Sequence, residues 1–98
     1  MARYELSNEA ARDLDRLYEF GALTFGWSQT DSYYDGLLDR LEQIALTPER
    51  YPAVDYIQKG YRRSVFGVHA IYYREHDDNV LIVRILGRQD IVTAMERT

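Results

Sequence analysis

Arginine and histidine are the side chains whose number and placement point to chemistry or recognition in this chain, which contains no cysteine. Eleven of its twelve basic residues are arginine, a bias that favours planar, bidentate recognition over diffuse charge attraction. Seven of them, among them Arg62, Arg63, Arg74, Arg84 and Arg88, fall in the second half with both histidines, His69 and His76. Without cysteine there is no disulfide, thiolate nucleophile or thiolate metal site, and two histidines alone do not make a zinc centre. No metal and no cofactor is expected.

Charge is unevenly divided. Residues 1–49 carry 4 basic and 10 acidic side chains, a net of −6, and residues 50–98 carry 8 and 6, a net of +2. The overall −4 opposes non-specific nucleic-acid binding, which needs clustered cations, so direct DNA binding is not expected. The acidic half reads as a solvated helical surface and the basic half as the place to look for function. Nine tyrosines suggest surfaces that bury and still hydrogen-bond.

These side chains need elements to hold them. Ala2 to Leu6 reads as a short strand. Ser7 is a helix N-cap with Glu9 in the first turn, and Ala10, Leu14, Leu17, Tyr18 and Gly21 form the apolar stripe of the helix that follows. Asp13 and Arg16 fall mostly on its other faces. Phe20, Leu23, Phe25 and Trp27 broaden the stripe, which places that end between other elements. Gly26 is the stop, and Ser28 with Asp31 resembles a capping box for a second helix. Tyr33, Tyr34, Leu37, Leu38, Leu41, Ile44 and Ala45 are its apolar positions, and Thr47-Pro48 ends it. A link of about two residues makes the pair an antiparallel hairpin.

Residues 48–60 read as an ordered loop with a short extended piece at Val54 to Ile57. Three strands follow, Tyr61 to Phe66, Val68 to Glu75 and Val80 to Leu86, the last two joined by hairpin chemistry at Asp77-Asp78-Asn79. Asp90 caps a short helix, Ile91 to Arg97. Helices and strands kept apart in sequence indicate an α+β fold, an antiparallel sheet with a helical hairpin on one face, in one domain spanning residues 1–98. A three-residue turn at 77–79 would pair Arg74 with Ile82 and Tyr72 with Arg84, setting both arginines on one face; a two-residue turn would set them on opposite faces. The longest strongly apolar run, residues 80–83, is too short to span a bilayer and nothing marks the chain for export, so a cytoplasmic location is expected.

The second half carries a recognisable pattern. Arg63-Ser64, Gly67, His69, Ile71, Tyr73-Arg74, then Val80, Ile82, Arg84-Ile85-Leu86 and Asp90 resemble the signature of ParE-type toxins in the RelE/ParE superfamily. The N-terminal half fits as well, with a strand into Ser7, then Ala11, Asp13 and Leu14, and a helix ending near Gly26-Trp27. Where many relatives place a histidine after Ile-Leu, this chain goes directly to Gly87-Arg88-Gln89-Asp90.

The resemblance implies a toxin neutralised by a small ParD-like antitoxin, with DNA gyrase as the target. The alternative is a RelE-like ribosome-dependent mRNA interferase, since the two activities share a fold. RNA cleavage through the 2′-hydroxyl needs a base, phosphate-binding cations and an acid that converge. The arginine such enzymes place after the glycine is His69 here, the tyrosine of the last helix is Met95, a basic pair near Gly60 and Arg62 is half lost, and Arg88 or Gln89 takes the remaining arginine position. No catalytic residue is therefore assigned, although histidine could act as a base. An inactive relative that only binds its antitoxin is a third possibility.

Arg62, Arg63, His69, Arg74, Arg84, Arg88, Gln89 and Asp90 are the candidates for target binding. Surface ion pairing with Glu75, Asp55 and Asp90 is the competing account of the arginines, and a hydrogen-bonded structural role the preferred account of His69. Arg84 is the least ordinary, since charge in a central strand needs a partner or an open groove. Tyr18, Trp27, Tyr33 and Tyr34 are the candidate antitoxin anchors; core packing at the hairpin tip competes, and is preferred for Trp27.

Overall fold

The computed structural model describes residues 3–87. Strand β1 (Tyr4–Leu6) leads into helix α1 (Asn8–Phe25), and Ser7 caps it as expected, its hydroxyl accepting from the Ala10 amide at 3.0 Å. Helix α2 (Trp27–Leu46) starts after a single linking residue. Gly26 has φ of +89°, a conformation glycine adopts without strain, so one residue both ends α1 and opens α2. The capping box at Ser28 and Asp31 is not formed: Ser28 is already inside the helix, and no side chain caps α2.

A 3-10 turn (Pro48–Arg50) follows. The extended piece expected over Val54 to Ile57 is instead a turn, closed by the Ile57 amide on the Val54 carbonyl at 2.8 Å. Buried Val54 anchors it, its amide bonded to the carbonyl of Tyr61. Strands β2 (Arg62–Phe66), β3 (His69–His76) and β4 (Asn79–Gly87) complete a sheet of order β1-β4-β3-β2, antiparallel except where β1 runs parallel to β4. The expected C-terminal helix lies outside the described residues.

Alternation along β3 divides the core. Ile71 and Tyr73 pack with Val80, Ile82 and Ile85 beneath Ala10, Leu14, Leu37, Leu41 and Ile44 of the helices. Ala70 and Tyr72 face the other way, covered by Val54 and Tyr61. The hairpin turn has two residues, with Asp77 at φ +56°, so Arg74 pairs with Leu81 and not Ile82. The register then shifts between Tyr72 and Tyr73, leaving Val83 as an extra residue, and Tyr72 faces Arg84 after all. The bulge cancels the change of parity that the short turn introduces.

Tyr73 is fully buried and donates its hydroxyl to the Pro48 carbonyl at 2.5 Å. Burial pushes its phenol well above the ordinary value, and Tyr4 and Tyr33 are raised for the same leading reason. The folded pKa thus exceeds the unfolded value of about 10, so the stabilisation is complete below that pH and is lost as pH rises through the folded value. Urea titrations should show stability falling above pH about 10. Tyr73→Phe should shrink that alkaline loss while costing about 1 kcal/mol at neutral pH.

Candidate functional site

The end of the helical hairpin differs from the expectation. Phe20, Leu23, Phe25 and Trp27 are not wedged between elements but are 65, 83, 57 and 66% exposed. Helical spacing had placed them on a continuing stripe, but the sheet beneath is too short to cover α1 this far along. Phe20, Leu23 and Phe25 border a groove of about 800 Å³ walled by Leu17 and Gly21 of α1, Thr30 and Tyr33 of α2, and His69, Ile85 and Gly87 of the sheet. Thr30 is buried, and its hydroxyl finds no partner among the described residues. An apolar surface of this kind, rimmed by polar groups, is the usual signature of a macromolecular docking site.

The four aromatic candidates separate into two groups. Tyr18, Trp27 and Tyr34 form one cluster, with ring centroids 5.8 Å apart for Tyr18 and Trp27 and 5.1 Å for Tyr18 and Tyr34. The Tyr18 hydroxyl donates to Asp31 at 2.6 Å. Tyr33 points instead to the sheet, where its hydroxyl lies 3.0 Å from the Phe66 carbonyl and 2.8 Å from His69 Nδ1, and accepts from the Val68 amide at 3.3 Å. One hydroxyl thus holds the β2–β3 turn, and His69 has the hydrogen-bonded role preferred for it.

Gly67 in that turn has φ of +55°, and a Cβ there would stand 2.6 Å from the Tyr33 oxygen. Gly67→Ala should therefore lose about 2 kcal/mol in urea unfolding, combining backbone strain with displacement of Tyr33.

The arginines are not brought into one patch. Arg62 pairs across the sheet with Tyr73, on the helix side, and donates to the Tyr51 carbonyl at 2.7 Å. Arg63 pairs with Tyr72 on the opposite face. Arg74, on that same face, contacts His76. Asp55, offered as an ion-pair partner, accepts the Gly60 amide instead. Arg88, Gln89 and Asp90 lie outside the described residues.

Arg84 finds its partner in Asp13, which the helical pattern had assigned to a polar face. Asp13 is 3% exposed. Its carboxylate accepts from Arg84 Nε at 2.9 Å and Nη2 at 3.2 Å, from the Ile85 amide at 2.9 Å, and from Arg16. The cause is the length of β1: it pairs with β4 only as far as Ile82, so the Ile85 amide faces no strand and α1 supplies an acceptor instead. The sequence signals were an acid three residues from Ala10 and four from Leu17, and a lone arginine inside a β-branched strand.

A short four-stranded sheet under a helical hairpin, with an apolar groove near the hairpin's connecting turn, defines a small α+β protein. The model for the ParE toxin of the type II toxin-antitoxin system parDE matches residues 4–92. Toxin ParE1 of Caulobacter vibrioides is 33% identical over 86 residues, covering 88% of each chain. Toxin ParE1 of Mycobacterium tuberculosis is 29% identical over 89 residues, 90% of this chain and 91% of that one. A solved chain from the chromosomal ParDE toxin-antitoxin system of P. aeruginosa has the same fold, with a TM-score of 0.77 at 16% identity, covering 89% of this chain and 96% of that one. The chain belongs to the ParE toxin family of type II toxin-antitoxin systems. No described helix is long and apolar enough to cross a membrane.

Proposed function

We propose that this chain is the toxin of its module, that a ParD-like antitoxin neutralises it by docking on the hairpin end, and that it acts in the cytoplasm by binding DNA gyrase. The observation that carries the partner reading is the exposure of Phe20, Leu23 and Phe25 around one groove, with Trp27 exposed at the same end of the hairpin. A free apolar surface of this size is a liability for an isolated protein and an asset for one stored in a complex.

Gyrase is favoured over the ribosome by the state of the arginines. Cleaving RNA needs cations that converge beside a base, yet Arg84 is bound to Asp13, Arg62 to a loop carbonyl and His69 to Tyr33. Binding a protein surface needs no such convergence. Purified toxin, freed of antitoxin, should inhibit supercoiling by gyrase or raise its cleavage complexes at micromolar concentration. No change in either, together with cleavage of message on programmed ribosomes, would replace this reading with the interferase.

A further inference from the structure

If a partner covers the hairpin end, the residues there also restrict what that partner carries. From Leu17 to Asp39 the chain holds four carboxylates, Glu19, Asp31, Asp35 and Asp39, and no lysine, arginine or histidine. The three cations of the two helices, Arg12, Arg16 and Arg40, lie outside this stretch, and Arg16 also lines the groove. Arg16 is bound to Asp13, Arg40 to Ser64 and Val65, and Arg12 lines a separate cleft beside Arg84.

Within this uncompensated stretch, Tyr18, Trp27 and Tyr34 pack their rings together, and Trp27 remains 66% exposed. Asp31 receives the Tyr18 hydroxyl, and the charge of Asp35 acts on the same phenol. Ring faces attract a cation that lies over them, and carboxylates beside the rings supply its hydrogen-bond acceptors. Guanidinium suits both, being planar, weakly hydrated and rich in donors.

We infer that the Tyr18–Trp27–Tyr34 face receives an arginine side chain of the partner, stacked on the exposed rings with Asp31 and Asp35 as its acceptors. This rests on the toxin–antitoxin reading and specifies the partner segment: aliphatic where it fills the groove, basic where it crosses the helix tip. The charge balance of the hairpin, and not its apolar content alone, selects such a segment over an acidic amphipathic one.

The test uses the full chain and the polypeptide encoded by the adjoining reading frame, titrated by calorimetry in 50 mM NaCl. Asp35 and Trp27 are exposed, so Asp35→Asn, Trp27→Leu and Trp27→Phe should fold normally, as circular dichroism would verify. Asp35→Asn and Trp27→Leu should each weaken binding by about 5- to 10-fold, and Trp27→Phe, which keeps a ring, by less than about 3-fold. Raising NaCl to 500 mM should erase most of the Asp35→Asn difference. A single arginine of the partner, changed to glutamine, should reproduce the loss and make Asp35→Asn silent.

Tight binding by the wild type that neither Asp35→Asn nor Trp27→Leu alters, or a bound segment with no cationic residue, overturns the proposal and leaves the toxin–antitoxin reading standing. A partner lysine whose loss reproduces these effects overturns only the choice of arginine. Failure of the wild type to bind the neighbouring product at all overturns both.

Discussion

Replacing Phe20 and Leu23 together by aspartate is expected to abolish antitoxin binding while leaving the fold intact. Both side chains stand largely in solvent, so no packing is lost within the chain, and the thermal midpoint should stay within a few degrees of the wild type. In a complex they would be central apolar anchors, and a carboxylate in each place would be buried without a partner. At about 1.5 to 2 kcal/mol for each anchor, the dissociation constant should rise at least 100-fold. In cells the variant toxin would escape its antitoxin, so co-expression should no longer protect growth. Binding within a few-fold of the wild type would place the antitoxin elsewhere on the molecule.

Asp13→Ala should be the most destabilising single polar change in the described part of the chain. It strips the Ile85 amide of its acceptor and leaves the Arg84 guanidinium beside an apolar methyl. Loss of one member of a fully buried pair costs roughly 3 to 5 kcal/mol, but Arg84 is 36% exposed and water recovers part of that, so about 3 kcal/mol is expected. For a domain this size the midpoint would fall by roughly 12 to 20 °C. Asp13→Asn keeps an acceptor for one donor and should lose less. Urea unfolding of the two variants checks both magnitude and order, and a loss under about 1 kcal/mol for Asp13→Ala would show that α1 holds β4 by apolar packing alone.

This node bears on the candidate site residues, since it engages Arg84. Arg84 could have been free to meet a target, as a lone charge in a β-branched strand invites one to think. Its engagement by Asp13 leaves Arg63 and Arg74 as described arginines on the face opposite the helices.

Local chemistry made much of this architecture legible from the amino-acid string. Ser7, Gly26 and Pro48 act on their immediate neighbours, through a hydroxyl that caps, a positive φ and a missing amide, and each stands at an element boundary. The β-branched run in residues 80–86 and the Asp-rich turn specify the β3–β4 hairpin for the same reason. The RelE/ParE-like pattern was readable because it is spread over most of the chain.

What tertiary structure alone decided was coverage and register. Periodicity says that Phe20, Leu23, Phe25 and Trp27 are apolar, but their exposure depends on how far a sheet built from residues 4–6 and 62–87 extends beneath α1. Asp13 is buried only because β1 stops at Leu6 and leaves an amide of β4 without a strand. The bulge at Val83 restored a pairing that the turn length by itself would have reversed. The Asp13 contacts join residues 71 and 72 positions apart in the chain, and contacts at that separation are set by the packing of whole elements, which no local pattern encodes.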